Sequence, residues 1–211
     1  MPGQLFLGGG GDIEVSKNLD KRFFSNLRND ANILYIPEAW DSPHTNYSSC
    51  YDWFCSLIAE YLPHLATKPS LLLENTNSIN LTDYDAIYIG GGNTYKLLNF
   101  LVSNNLGEKL HKFLQLKKLI YGGSAGAIVF GKTIRTVIEE KENYPEHEGL
   151  GFLDFSLRCH YTPSNYDMLK DIAQKLKHTI YALPEDGGLI LDGECKIIEK
   201  VGDVVVFGDN I

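Results

Sequence analysis

Residues 118–131, "KLIYGGSAGAIVFG", decide how the rest of this chain is read. A short apolar run gives way to a cluster of small residues, and an apolar stretch compatible with a helix follows. Within it "GGSAG" satisfies G-x-S-x-G, with Gly122, Ser124 and Gly126 at the defining positions. A serine on a sharp strand-to-helix turn adopts a strained backbone conformation, and side chains at the flanking positions collide with neighbouring strands. "KLIYG" reads as the strand and "AGAIVFG" as the helix that such a nucleophile elbow demands. The pattern also suits a plain tight turn in a buried core, so Ser124 is a candidate that needs partners.

Outward from this turn, short apolar runs alternate with amphipathic ones. "QLFLG" (4–8), "ANILYIP" (31–37), "SLLLEN" (70–75) and "DAIYIG" (85–90) join 118–122 as buried strands. Helices are predicted at 18–28, 47–62, 94–103 and 105–116. In "NTYKLLNFL" the residues Leu97, Leu98 and Leu101 share one helical face, and Asn93 stands where an N-cap belongs. This alternation predicts an α/β protein of three layers, a mostly parallel sheet with helices on both faces. The last quarter, "GGLILDGECKIIEKVGDVVVFG" (187–208), reads as three short strands split by "DGE" and "VGD" turns. A C-terminal antiparallel meander is expected there. Residues 1–211 contain no internal repeat or linker and are read as a single domain.

The formal charge of −8 argues against non-specific binding to nucleic acid or to an anionic membrane, both of which rest on clustered lysine and arginine. Cys50, Cys55, Cys159 and Cys195 form no C-x-x-C pair, and at this length reduced thiols are expected. The opening "MPGQLFLGGGGD" has no basic n-region, and no run approaches the ~20 apolar residues of a membrane helix. A cytoplasmic location is the expectation.

Neither "GGGGD" (8–12) nor "GGGN" (90–93) fits a phosphate-binding fingerprint. Both loops follow predicted strands, so their amides face the carboxyl edge of the sheet, where they can serve an oxyanion. A serine nucleophile needs a base. His44, His64, His111, His147 and His178 fall in loops or on predicted helix surfaces. His160 ends the predicted strand "FSLRCHY" (155–161), at the same edge as Ser124. An acid must then orient the imidazole. Glu139 and Glu140 after the elbow, and Glu185 and Asp186 in "ALPEDGGLIL", are all candidates, with Glu185 at the carboxyl end of predicted strand 179–183.

Four stretches in order, "LFLGGGG", "IGGGNTYKLL" (89–98), "GGSAGA" (122–127) and "GLGFLDFSLRCHY" (149–161), resemble the peptidase E family of serine peptidases, relatives of aspartyl dipeptidase and cyanophycinase. The resemblance implies a fold like that of class I glutamine amidotransferases, with serine where those enzymes use cysteine. It implies Ser124 as nucleophile and His160 as base. The amides of Ala125 and Gly92 would make the oxyanion hole, with Gly91 and Asn93 as candidate substrate contacts. The family pattern points to Glu185 as the acid, with Glu139 as the alternative. Two departures stand out. Cys159 precedes the histidine where the family often has proline, and the loop "YTPSNYDMLKDIAQKLK" (161–177) lacks the arginine carried by members that cleave after aspartate. An aspartyl preference is therefore doubtful.

The resulting expectation is a serine-type peptidase of short peptides, without metal or cofactor, with a homodimer left open. An esterase or amidase on the same elbow, and a non-catalytic ligand-binding member of the same fold, are the rivals.

Overall fold

Strands with no polar member must be covered on both faces, and the apolar runs at the centre of this chain are covered in that way. The computed structural model describes residues 3–40, 46–72, 79–137 and 148–208. In chain order, β1 (Gln4–Gly8), α1 (Ile13–Phe24), β2 (Ile33–Ile36), α2 (Tyr47–Tyr61), β3 (Ser70–Leu71), β4 (Ala86–Ile89), α3 (Thr94–Ser103), α4 (Leu106–Gln115) and β5 (Leu119–Gly123) build the first part. The one-turn helix α5 (Ala125–Ile128), β6 (Ser156–Arg158), α6 (Tyr166–Leu176), β7 (Ile180–Ala182), β8 (Gly188–Asp192), β9 (Ile197–Val201) and β10 (Val205–Phe207) follow. A seven-stranded sheet runs β3-β2-β4-β5-β1-β8-β9, and a three-stranded sheet runs β10-β7-β6. From β3 to β1 the large sheet is parallel, and β8 and β9 are antiparallel to their neighbours.

The period-two alternation of the strands sorts their side chains into two cores. Leu5, Leu7, Ile87 and Ile89 face α3 and α4, whose Leu97, Leu98, Leu101 and Leu110 pack onto them. Phe6, Tyr35, Tyr88 and Tyr121 face the other way, onto Leu19 and Phe23 of α1 and Phe54 and Leu57 of α2. A third, small cluster joins Leu169 and Ala173 of α6 to Ile180, Ala182 and Phe207.

Three expectations change. Helix α1 starts at Ile13, not 18, because the Asp12 side chain accepts hydrogen bonds from the Glu14 and Val15 amides and starts the helix there. The helix after the elbow is only four residues long. The C-terminal meander is corrected: β8 and β9 form an antiparallel hairpin, but β10 leaves it and pairs with β7. Phe207 is buried against the α6 cluster, so the apolar face of the last strand is covered there and not beside β9. Of the expected strand 70–75 only Ser70–Leu71 is assigned, and its end lies outside the described residues.

Candidate active site

The strand-to-helix turn that carries Ser124 lies at the carboxyl edge of β1, β4 and β5, in the crevice where open α/β sheets bind ligands. Ser124 directly follows β5 at φ 53° and ψ −115°, a conformation that costs a non-glycine residue about 1–3 kcal/mol. Its amide donates to the Gly8 carbonyl (3.0 Å), and its own carbonyl accepts from the Ala127 and Ile128 amides at 2.8 and 3.0 Å. The glycines of G-x-S-x-G are required by contact. A Cβ on Gly122 would lie 2.2 Å from the Gly126 carbonyl oxygen, and one on Gly126 would lie 2.3 Å from that of Ile89.

His160 lies just beyond β6, also at positive φ (52°), and its amide donates to the Gly9 carbonyl at 3.0 Å. Its Nε2 is 2.8 Å from Ser124 Oγ, and its Nδ1 is 2.9 Å from Glu185 Oε1. With Nδ1 carrying the proton toward the carboxylate, Nε2 is left as acceptor for the serine hydroxyl. The imidazole and carboxylate are half-exposed, at 47% and 55%. Glu139 and Glu140, like His44 and His147, lie outside the described residues.

The glycine loop after β1 ties these three residues together. Gly8 and Gly9 accept from the Ser124 and His160 amides, and the Gly11 amide donates to the Glu185 carbonyl at 3.2 Å. Gly10, at φ 100°, passes so close that a Cβ there would lie 2.6 Å from His160 Cε1 and 2.8 Å from Ser124 Cβ. From the sequence, this loop is expected to offer only its amides. Its crossing under the histidine is a tertiary contact that no local pattern carries.

The Gly92 and Ala125 amides have no acceptor among the described residues. Both are available to a ligand beside Ser124. Gly91 and Gly92 line the cavity that opens on Ser124 and His160. Asn93 is not among its lining residues: its Oδ1 accepts from the Lys96 amide at 2.8 Å and caps α3. Cys159 is fully buried under the turn, its Sγ 3.5 Å from the Gly8 carbonyl, and burial pushes the thiol up to about 12. A neutral packing thiol thus fills the position before the histidine.

The remaining described histidines stand elsewhere. His178 Nε2 is 2.8 Å from Ser156 Oγ, and His111 meets the Phe152 ring. Arg158 is buried with Nη1 donating to the Thr136 carbonyl, and Arg135 is exposed. Among the described residues no group of three or more His, Cys, Asp or Glu side chains could hold a metal ion. None of their helices is long and apolar enough to cross a membrane.

The chain is 30% identical over 130 residues to peptidase E of Shewanella denitrificans, covering 59% of this chain and 53% of that protein. It is 28% identical over 159 residues to peptidase E of Pasteurella multocida, covering 70% and 64%. The matched part thus spans little more than half the length of these curated relatives. A candidate peptidase E protein of Listeria monocytogenes EGD-e superposes over 100% of both chains with a TM-score of 0.66 at 22% identity. A peptidase from an acI-B1 Actinobacterium superposes over 99% of this chain and 88% of its own, with a TM-score of 0.64 at 20% identity. At such identities the two structures speak for the fold. The model of peptidase family S51 matches residues 5–199, nearly the whole chain, and the chain belongs to that family.

Proposed function

We propose that this chain is a serine-type peptidase acting on short peptides through Ser124, His160 and Glu185. The observation that carries the reading is the hydrogen-bond relay from Ser124 Oγ to His160 Nε2 (2.8 Å) and from His160 Nδ1 to Glu185 Oε1 (2.9 Å). Ser124 Oγ attacks the substrate carbonyl carbon, and its proton passes to His160 Nε2. Glu185 holds the imidazole in the tautomer that can accept this proton and stabilises the cation that forms. The oxyanion of the tetrahedral intermediate takes hydrogen bonds from the Gly92 and Ala125 amides. Donors of this kind are worth about 10²–10³-fold each. The carbon–nitrogen bond then breaks, with the proton of His160 going to the leaving amine. A water molecule repeats the sequence to release the acyl group. Gly91 offers main-chain contact to the substrate, while the role of Asn93 is to start α3.

The Glu185 contact supports this residue over Glu139 as the acid. A parallel sheet carrying its nucleophile on the turn after β5 supports the class I glutamine amidotransferase-like architecture. Replacing Ser124 by alanine tests the reading. The protein should fold and lose about 10⁴–10⁶-fold in kcat. Retention of more than a tenth of the rate rules the relay out.

A further inference from the structure

The cavity beside Ser124 has a volume of about 410 Å³, within the ~300–1,000 Å³ of small-molecule sites. Away from the glycine loops its described lining is Tyr35, Trp40, Ser49, Cys50, Trp53 and Tyr88, and no lysine, arginine, aspartate or glutamate is among the described lining residues. The rings are contributed by β2, β4, α2 and the loop after β2, and they are braced from behind. Tyr35 stacks on Phe54 at 4.3 Å, Tyr88 stacks on Tyr121 at 4.4 Å, and Trp53 meets Tyr88 edge-on at 6.2 Å. Aromatic side chains fixed in this manner offer apolar area at little entropic cost.

The six described residues of this wall away from the glycine loops are uncharged. Burial holds the Tyr35 and Tyr88 hydroxyls above the ordinary tyrosine range and the Cys50 thiol above that of cysteine, so all three keep their protons near pH 7. Two described cations, Lys96 and Arg158, are turned to other partners. Lys96 Nζ donates to the Trp40 carbonyl at 2.7 Å and Arg158 Nη1 to the Thr136 carbonyl at 3.0 Å, and neither residue lines the cavity. A carboxylate entering the cavity would shed water without gaining an ion pair from a described lysine or arginine of the lining, a costly exchange. An apolar side chain would gain by leaving water.

We propose that this cavity is the subsite for an uncharged apolar or aromatic side chain of the residue whose carbonyl Ser124 attacks, with Tyr35, Trp53 and Tyr88 setting the preference. The inference rests on the hydrolase reading for its link to turnover. Two measurements separate the claims. The first is kcat/KM for matched tripeptides carrying Phe, Leu, Asn, Asp or Lys at the attacked position. The second is the calorimetric Kd of the same peptides for the Ser124→Ala protein, which needs no chemistry. The kcat/KM of Phe and Leu should exceed that of Asp by about 10–100-fold, and their Kd should be lower by the same factor, the range set by burying one such side chain. Trp53→Ala should reduce the Phe-to-Asp ratio by about 5-fold or more, since it removes one wall. Asp or Lys equal to or ahead of Phe in Kd overturns the proposal even if turnover is brisk. Absence of binding by every peptide overturns it as well. If the Kd order holds and no peptide is cleaved by the unmodified protein, the hydrolase reading fails and the subsite chemistry stands.

Discussion

Replacing Gly10 by alanine should disable the relay while leaving the sheet intact. The added methyl would sit 2.6 and 2.7 Å from His160 Cε1 and Nε2 and 2.8 Å from Ser124 Cβ. Carbon atoms prefer about 3.5–4.0 Å, so the imidazole and the serine must separate from the loop by roughly 1 Å. They cannot follow freely, because their own amides are bonded to the Gly8 and Gly9 carbonyls of that loop. A misplacement of ~1 Å costs about 10²-fold in rate, which sets the expected loss in kcat/KM. The φ of 100° adds a backbone penalty of about 1–3 kcal/mol for any residue with a Cβ. Gly151→Ala separates the two effects: its φ is 70°, and nothing lies within 4 Å of the Cβ position. Melting temperatures and hydrolysis of one fluorogenic peptide, measured on both variants, form the assay. Both proteins should lose stability, by about 2–4 °C in Tm per kcal/mol, and only Gly10→Ala should lose activity. Equal residual activity in the two variants refutes the reasoning.

Glu185→Gln should lower kcat by about 10²–10³-fold, less than the ~10⁴ of a buried triad acid, because its carboxylate is 55% exposed and water can partly replace it. A loss under tenfold would place the orienting acid elsewhere, with Glu139 next to test. His178 gives a pH effect on stability. Burial, with Lys132 nearby, holds its pKa below the ordinary histidine value despite the opposing Leu176 carbonyl and Glu148. With the folded pKa depressed, the unfolded chain binds more protons. The stabilisation is therefore present above pH ~6.5 and lost as pH falls through the folded pKa. In denaturant titrations, His178→Gln should reduce the stability change across this pH window by less than about 1 kcal/mol, the ring being partly solvated, and parallel curves would contradict the assignment.

The central strands were legible because runs of three or four consecutive apolar residues, closed by Gly8, Pro37, Gly90 and Gly122, are what a strand covered on both faces requires. The elbow was legible for a steric reason: Gly122 and Gly126 face carbonyl oxygens at distances no side chain tolerates. His160 could be placed at the active edge from its strand alone. What escaped are features made by crossings. Tyr35 and Tyr88 sit inside fully apolar runs and read as core, yet both also line the cavity beside Ser124, together with Trp40 and Trp53 from elsewhere in the chain. The start of α1 depended on a single Asp12 cap. The destination of β10 depended on which cluster covers Phe207, a choice that turn residues at 202–203 do not encode.

Covalent capture of Ser124 by a fluorophosphonate, read by peptide mass spectrometry, decides whether this serine is an activated nucleophile. Only a serine whose proton is taken by a neighbouring base attacks such a reagent at a useful rate. One phosphonyl group per chain is expected, carried by the peptide containing Ser124, and none on Ser124→Ala or His160→Ala. Stoichiometric labelling of another residue, or unchanged labelling of His160→Ala, would contradict it.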